Sequence, residues 1–285
     1  MRGLDDMSTS HPQQTEGVMF SRGDVSDRPK LWTLLQGVDV VYHLAARVFV
    51  SESKLYPREY NAVNVGGTVS LMEAMRDVGV RRVVFISSGA VYGTHSHVQL
   101  SETLSPDPAS PYAVSKLAAE HYVRTIGTQW GIETVCLRVF NAYGPGQQLP
   151  PSHPPVIPNL LRQAVHGGTM VMHGSGEQTR DFVYVDDVVQ AMIAAATALN
   201  INRSIINVGS GEEISVRELV NTISHITGTN ANVITNTKTD TGVSRMCADL
   251  TLAREKLHYQ PRVSLETGLR RTLAQDTRFQ TKPTK

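Results

Sequence analysis

A doubly wound, parallel α/β sheet with a smaller second lobe is the architecture this sequence predicts, and three observations carry it. Short β-branched runs alternate with helical patterns, the apolar residues of those patterns recur at intervals of three and four, and one proline-rich passage interrupts the rhythm before it resumes. The strands in order are Val38-Asp39-Val40-Val41-Tyr42, then Val83-Val84-Phe85-Ile86, then Thr134-Val135-Cys136-Leu137-Arg138-Val139-Phe140. Between them, Val65 to Val78 and Tyr112 to Ile126 have the spacing of crossover helices lying on a sheet. After Asn141-Ala142-Tyr143-Gly144-Pro145-Gly146 the composition turns loop-rich at Pro150-Pro151-Ser152-His153-Pro154-Pro155, where the chain is expected to leave the sheet and start the second lobe. It returns through a strand at Asp181-Phe182-Val183-Tyr184-Val185 and an alanine-rich helix from Asp186 to Leu199, and residues from Gly209 onward complete the lobe. The expected division is therefore 1–145 with 180–205 returning to it, and 146–179 with 206–285. No internal repeat is apparent, and Thr277 to Lys285 reads as a frayed polar tail.

Composition narrows the function. A chain of 285 residues can bury a full core, and 40% hydrophobic content with a net charge of +1 argues against a polybasic nucleic-acid surface or an acidic disordered tail. A small polar metabolite is the expected partner. No stretch approaches the roughly 18 apolar residues of a membrane span, and Met1 to Ser10 lacks the apolar centre of a signal peptide, so a soluble, cytoplasmic protein is expected. Cys136 and Cys247 are too few for a disulfide framework and sit in apolar or strand-like surroundings that suit inert buried thiols. His95 and His97 lie in a loop after Gly93 without a second cluster of ligand-type residues, so no metal site is expected.

The chemistry concentrates between Phe85 and Lys116. Tyr112 and Lys116 lie four apart on a predicted helix and project from one face, so both can reach a common atom. A phenol that titrates near pH 10 in isolation is a poor base at neutral pH; a nearby ammonium stabilises the phenolate and lowers that value. Ser88, closing a strand, is placed to hydrogen-bond the same reacting oxygen.

These segments resemble the extended short-chain dehydrogenase/reductase family, the NAD-dependent epimerases and dehydratases of nucleotide sugars, and the resemblance runs nearly end to end. It rests on Tyr42-His43-Leu44-Ala45-Ala46, Asn64-Val65-Gly66-Gly67-Thr68, Ser87-Ser88-Gly89-Ala90-Val91-Tyr92-Gly93 and Tyr112-Ala113-Val114-Ser115-Lys116. Arg138 to Pro145, Arg180 to Asp187 and Asn207 to Glu212 continue it in order. The resemblance implies a Rossmann-like sheet binding NAD, a lobe binding a UDP-sugar, and a homodimer paired through the helices at 65–78 and 112–126. It implies Tyr112 as general base, Lys116 as the group that lowers its pKa while holding the nicotinamide ribose, and Ser88 as an aid to proton transfer. It further implies cofactor contacts from Asp5, Asp24, Val25, Leu44, Ala45, Ala46 and Asn64, and substrate contacts from Ser88, Asn141, Arg180 and Arg245. Arg180 would hold the nucleotide diphosphate, because a guanidinium offers a fixed fork of donors to phosphate oxygens; the competing expectation is a surface ion pair with Asp181 or Asp186. Relatives often carry a further diphosphate arginine just before the segment matching Gly242-Val243-Ser244-Arg245. Here Thr239 and Asp240 stand in that neighbourhood, leaving Arg245 or Lys238 as substitutes.

The residues after Ser88 sort the possible reactions. Dehydratases of the family need an acid and a base there, which relatives supply as Asp-Glu, and the related decarboxylases resemble them in placing a Glu; this chain has Gly89-Ala90, and neither exchanges a proton. A 4-epimerase needs only the Tyr112 system and the cofactor. The expected function is NAD-dependent epimerisation of a UDP-hexose at C4 through a transient 4-keto sugar, with a sugar-nucleotide reductase or dehydratase as the enzymatic alternative. No G-x-x-G-x-x-G turn precedes these motifs, and the chain opens where a dinucleotide-binding domain would be finishing its second strand. A truncated sheet is therefore expected, with Val38 to Leu44 left on an unpaired edge, its neighbouring strands unanchored, and the cofactor pyrophosphate without its helix N-terminus. A mis-assigned start, a fragment of a longer enzyme, and a catalytically impaired relative that binds nucleotide sugar alone all fit that reading.

Overall fold

The computed structural model describes residues 1–9, 16–95, 99–166, 168–229, 232–236 and 243–280. His97, Lys238, Thr239, Asp240 and Gly242 lie outside the described residues, as do 281–285 of the expected tail. In chain order the elements are β1 (Arg2–Asp5), β2 (Met19–Arg22), α1 (Arg28–Leu35), β3 (Val40–His43), α2 (Val50–Leu55), α3 (Pro57–Tyr60), a π-helical turn (Asn61–Gly67), α4 (Thr68–Val78), β4 (Arg82–Ser88), a 3-10 turn (Gly89–Tyr92), α5 (Pro111–Trp130) and β5 (Glu133–Val139). There follow β6 (Asn141–Tyr143), α6 (Val156–Val165), β7 (Met170–His173), β8 (Thr179–Arg180), β9 (Phe182–Tyr184), α7 (Val185–Thr197), β10 (Ser204–Val208), β11 (Ile214–Ser215), α8 (Val216–Thr227), β12 (Val233–Asn236), α9 (Thr251–Leu257), α10 (Leu265–Gln275) and a closing 3-10 turn (Thr277–Phe279). The chain forms two compact units: Met1–Gly93, Ser105–Arg138 and Met192–Ile206 make the first, and Thr94–Leu104, Val139–Ala191 and Asn207–Lys285 the second. Relative to the sequence-based division, the first unit ends seven residues earlier, its returning segment begins at Met192 within α7, and a short excursion at 94–104 belongs to the second unit.

In the first unit a four-stranded sheet runs in the order β10-β5-β4-β3, with β3 and β4 parallel from Val40↔Arg82 to His43↔Phe85. Leu71, Met72, Ala74 and Met75 of α4, Ala119 and Val123 of α5, and Val83 and Phe85 of β4 share one buried cluster. Local sequence sets the helix limits. Ser110 accepts from the Ala113 N–H and Pro111 occupies the first turn of α5, while Gly131, left-handed at φ 69°, ends it. On α5, Tyr112, Ser115, Lys116, Ala119, Glu120 and Val123 are buried, a spacing that turns polar groups as well as apolar ones inward. The helix expected from Val65 begins as an α-helix only at Thr68, because Asn61 to Gly67 open into a π-helical turn.

β1 and β2 form a separate parallel pair, Arg2↔Met19 through Asp5↔Arg22. The expectation that these strands lack an anchor is corrected by three contacts. Leu4 packs against the buried cluster, the Arg2 guanidinium donates to the carbonyls of Leu34 and Gln36, and Lys30 Nζ donates to the Arg22 carbonyl at 2.7 Å. β3 is the edge strand of its sheet, and Tyr42 on it is exposed, as the sequence leads one to expect.

The second unit contains two parallel pairs, β6 with β9 and β7 with β12, and one antiparallel pair, β8 with β11. Ile157, Leu160 and Leu161 of α6, Leu219, Val220 and Ile223 of α8, and Leu269 of α10 form its core. α8 starts on a reciprocal Ser215–Glu218 capping box. Phe279 corrects the expectation of a fraying terminus: it is 4% exposed within this core, and the Asp276 carboxylate that caps its turn is tied to Arg278. The polar residues around Phe279 hid a single apolar anchor.

Candidate active site

The predicted residues of the first unit gather at the carboxyl ends of parallel strands, where open α/β sheets bind their ligands. Asp5 ends β1, Asp24 and Val25 follow β2, Leu44-Ala45-Ala46 follow β3, and Ser88 ends β4. Ser88 Oγ accepts from the Ala90 N–H at 3.2 Å, which caps the 3-10 turn, and the Ser88 hydroxyl favours the ionised form of Tyr112. Tyr112 is 9% exposed and Lys116 4%. The Lys116 ammonium lies 4.4 Å from the centre of the Phe85 ring, and burial pushes its pKa down to about 8.

The expectation that Lys116 lowers the Tyr112 pKa is corrected. Burial holds the phenol above its usual value, and donation from Ser88 is the influence that works the other way. Both groups suffer the same loss of solvent, so a neutral phenol and a lysine ready to shed its proton are the pair's resting tendency.

Buried polar groups support this pair. His43 Nε2 lies 2.8 Å from Thr68 Oγ1, and the Thr68 hydroxyl donates to the Asn64 carbonyl, so His43 carries its proton on Nε2. Burial, with Lys116 nearby, drives the His43 pKa down to about 3 and keeps the ring neutral. One turn beyond Lys116, Glu120 accepts from Arg138 Nε at 3.1 Å and Nη2 at 2.8 Å, and from Ser87 Oγ at 3.0 Å. Arg138 also stacks on Tyr92 at 4.7 Å. The inward face of α5 thus reads Tyr112, Lys116, Glu120, a spacing of four visible in the sequence, although Glu120 lies outside the Tyr112–Lys116 motif.

Three of the residues expected at the cofactor have protein contacts of their own. The Asn64 amide is fully engaged: Oδ1 accepts from the Arg47 N–H, and Nδ2 donates to the Arg47 carbonyl and to Ser115 Oγ. Val25 is buried against Gly67, where a Cβ would meet Val25 Cγ1 at 2.3 Å. Asp24 turns its carboxylate onto the N–H and hydroxyl of Ser26. Exposed are the Asp5 carboxylate, with Oδ1 accepting from the Met7 N–H, the second oxygen of Asp24, and the Leu44-Ala45 strip, where Leu44 is 55% exposed. An exposed acid, a small apolar strip and the Tyr112–Lys116 pair fit the ribose, ring and reacting end of a dinucleotide. No glycine-rich turn for its pyrophosphate is among the described residues.

In the second unit, Asn141 begins β6 and receives the Asp181 carbonyl on its backbone N–H, with its side-chain Oδ1 buried and without a hydrogen-bond partner. Arg180 ends β8, and burial disfavours its charge. Its Nη1 donates to the Thr179 carbonyl at 2.7 Å. Asp181 accepts from the N–H groups of Ser210, Gly211 and Ala248 and from the Ser210 hydroxyl, and Asp186 meets Arg271 at 3.5 Å. Arg245 is bound in bidentate fashion by Glu213, which also accepts from Thr179 Oγ1. Glu213 lies in none of the sequence motifs. Both cysteines are buried with their thiols held well above the usual range by burial, Cys247 at about 12.

A half-buried serine ending β4, with a buried tyrosine and lysine one turn apart on α5 of a parallel α/β sheet, is the arrangement of an enzyme class that works on a dinucleotide cofactor. The sequence profile of the NAD dependent epimerase/dehydratase family matches residues 1–209. The chain is 35% identical over 279 residues to the UDP-glucose 4-epimerase of Mycolicibacterium smegmatis, covering 95% of this chain and 88% of that one. Among solved structures it superposes with TM-score 0.91 and 29% identity on Thermotoga maritima UDP-glucose 4-epimerase with UDP-glucose, covering 96% and 89% of the two chains. It superposes with TM-score 0.88 and 32% identity on Bacillus cereus UDP-glucuronic acid 4-epimerase in complex with UDP-glucuronic acid and NAD, again over 96% and 89%. The chain belongs to the NAD dependent epimerase/dehydratase family. No helix among the described residues is long and apolar enough to cross a membrane.

Proposed function

We propose that this protein is a UDP-hexose 4-epimerase that uses NAD and passes through a transient 4-keto sugar. The observation that carries the reading is the buried Tyr112 hydroxyl on Ser88, with Lys116 one turn along α5 and the proton-inert Gly89-Ala90 beside them. As the phenolate, Tyr112 takes the proton of the sugar C4 hydroxyl as the C4–H bond breaks, and Ser88 holds the same oxygen. NAD, when bound, would supply the hydride acceptor and donor for C4. Tyr112 then gives the proton back to the carbonyl oxygen, so atoms and charge balance over the cycle. A Lys116 ammonium turned toward Tyr112 favours that phenolate before the proton is taken, against the burial that keeps the phenol neutral at rest. Asp5 and the Leu44-Ala45-Ala46 strip hold the cofactor, and Arg180, Asn141 and Arg245 the UDP-sugar, Arg245 through whatever Glu213 leaves of its donors. The first unit is then the NAD domain and the second the nucleotide-sugar lobe. A cytoplasmic location and a homodimer paired through α4 and α5 complete the proposal.

The test is product analysis on UDP-glucose and UDP-glucuronate by NMR. Inversion at C4 by the wild type, lost in Tyr112→Phe, supports the reading, and undiminished turnover in that variant removes Tyr112 from its role. A 4-keto-6-deoxy product would move the protein to the dehydratases. UDP-sugar binding with no NAD dependence and no turnover would make it a binding protein.

A further inference from the structure

Two side chains from adjoining helical turns grip the segment after β3 in the manner of a neighbouring strand. Asn64 pairs with both backbone groups of Arg47, and the Tyr60 hydroxyl meets both backbone groups of Phe49, accepting from its N–H at 3.1 Å and lying 2.8 Å from its carbonyl oxygen. The same hydroxyl lies 2.6 Å from Glu52 Oε2, and Arg47 closes the ring by touching Glu52 Oε1 at 3.3 Å and stacking on the Tyr60 ring at 5.6 Å. Tyr60 is fully buried, and its ring stands edge-on to that of Tyr112, at 6.4 Å between centres and 88° between planes. Asn64 adds a second tie to α5 through Ser115, whose hydroxyl donates to the Tyr112 carbonyl.

We propose that Tyr60, fixed by Glu52, is a positioning residue for Tyr112: it sets the angle of the Tyr112 ring and locks the segment 44–49 to the same frame. The proposal deepens the reading of Tyr112 as the proton-transferring group and rests on it. The physical need is plain. Near its hydroxyl Tyr112 has Ser88, and a ring steadied there alone can still tilt about its Cα–Cβ bond; an edge-on aromatic neighbour restricts that freedom. A tilt displaces the oxygen relative to C4, and small misplacements at a reacting centre cost large factors in rate. Glu52 and Arg47 act at one remove, because Tyr60 holds its place only while its hydroxyl is tied.

The experiment labels the tyrosine ring carbons with 13C, assigns the Tyr112 signal by its loss in Tyr112→Phe, and follows it beside steady-state kinetics. In Tyr60→Leu and Glu52→Ala the Tyr112 signal should shift and broaden, and kcat should fall by about 10- to 100-fold while KM for the nucleotide sugar stays within about threefold. Glu52→Gln keeps an acceptor for the Tyr60 hydroxyl and should recover most of what Glu52→Ala loses. An unmoved Tyr112 signal with kcat within about twofold of wild type in both Tyr60→Leu and Glu52→Ala would overturn the proposal. So would failure of Glu52→Gln to recover the loss. Should Tyr60→Leu not fold, the two Glu52 variants carry the test, since that side chain is partly exposed. Failure of the parent reading is seen separately, as turnover that survives Tyr112→Phe while the Tyr112 signal still responds to Tyr60.

Discussion

Replacing Lys116 by Met should abolish turnover and make the protein more stable. The ammonium is 4% exposed, and burial takes its pKa from the ordinary 10.5 to about 8. That fall corresponds to about 3 kcal/mol of net penalty on the charged form. Methionine has a similar length and volume and no charge to desolvate, so Lys116→Met should gain about 3 kcal/mol near pH 7. The sign of the pH dependence follows from a base whose folded pKa is lowered. Below about pH 8 the lysine is charged in both states and the penalty is complete. Between about 8 and 10.5 the unfolded chain keeps a proton that the folded chain has shed, so wild-type stability gains on the variant as pH rises. The advantage of Lys116→Met should therefore shrink towards zero near pH 10.5. Urea unfolding of both proteins at about pH 7 and about pH 10 measures it. A variant less stable than wild type at neutral pH, or a difference that ignores pH, would refute the account of Lys116 as a buried charge retained for function.

Three further expectations concern the frame of the site. Arg138→Met leaves the Glu120 carboxylate buried without its bidentate partner and should cost about 3–5 kcal/mol in urea unfolding, whereas Arg138→Met with Glu120→Leu should regain most of that loss. Gly93→Ala should destabilise the protein severely, because φ is 68° there and an added Cβ would meet the Asp107 carbonyl oxygen at 1.7 Å; a melting temperature close to wild type would contradict that close approach. Phe279→Ala should lower stability by about 3 kcal/mol, the cost of an emptied core position, and an unchanged unfolding midpoint would return Thr277 to Phe279 to the fraying tail first expected of them.

The sequence by itself determined the parallel α/β rhythm, since β-branched runs and three-four spacing are local signals, and it determined the Ser88, Tyr112 and Lys116 set, since a strand end and one helical turn place them by short-range geometry. Only the tertiary structure decided what surrounds each group. It turned Asn64 and Val25 inward against Arg47 and Gly67, gave Arg245 to Glu213, anchored Phe279, and brought Tyr60, fifty-two residues away in sequence, edge-on to Tyr112. The direction of the Tyr112 pKa belongs with these. Spacing says that Lys116 can come near, but whether water is excluded from both groups is settled by packing from distant parts of the chain, and desolvation outweighs what a nearby charge supplies.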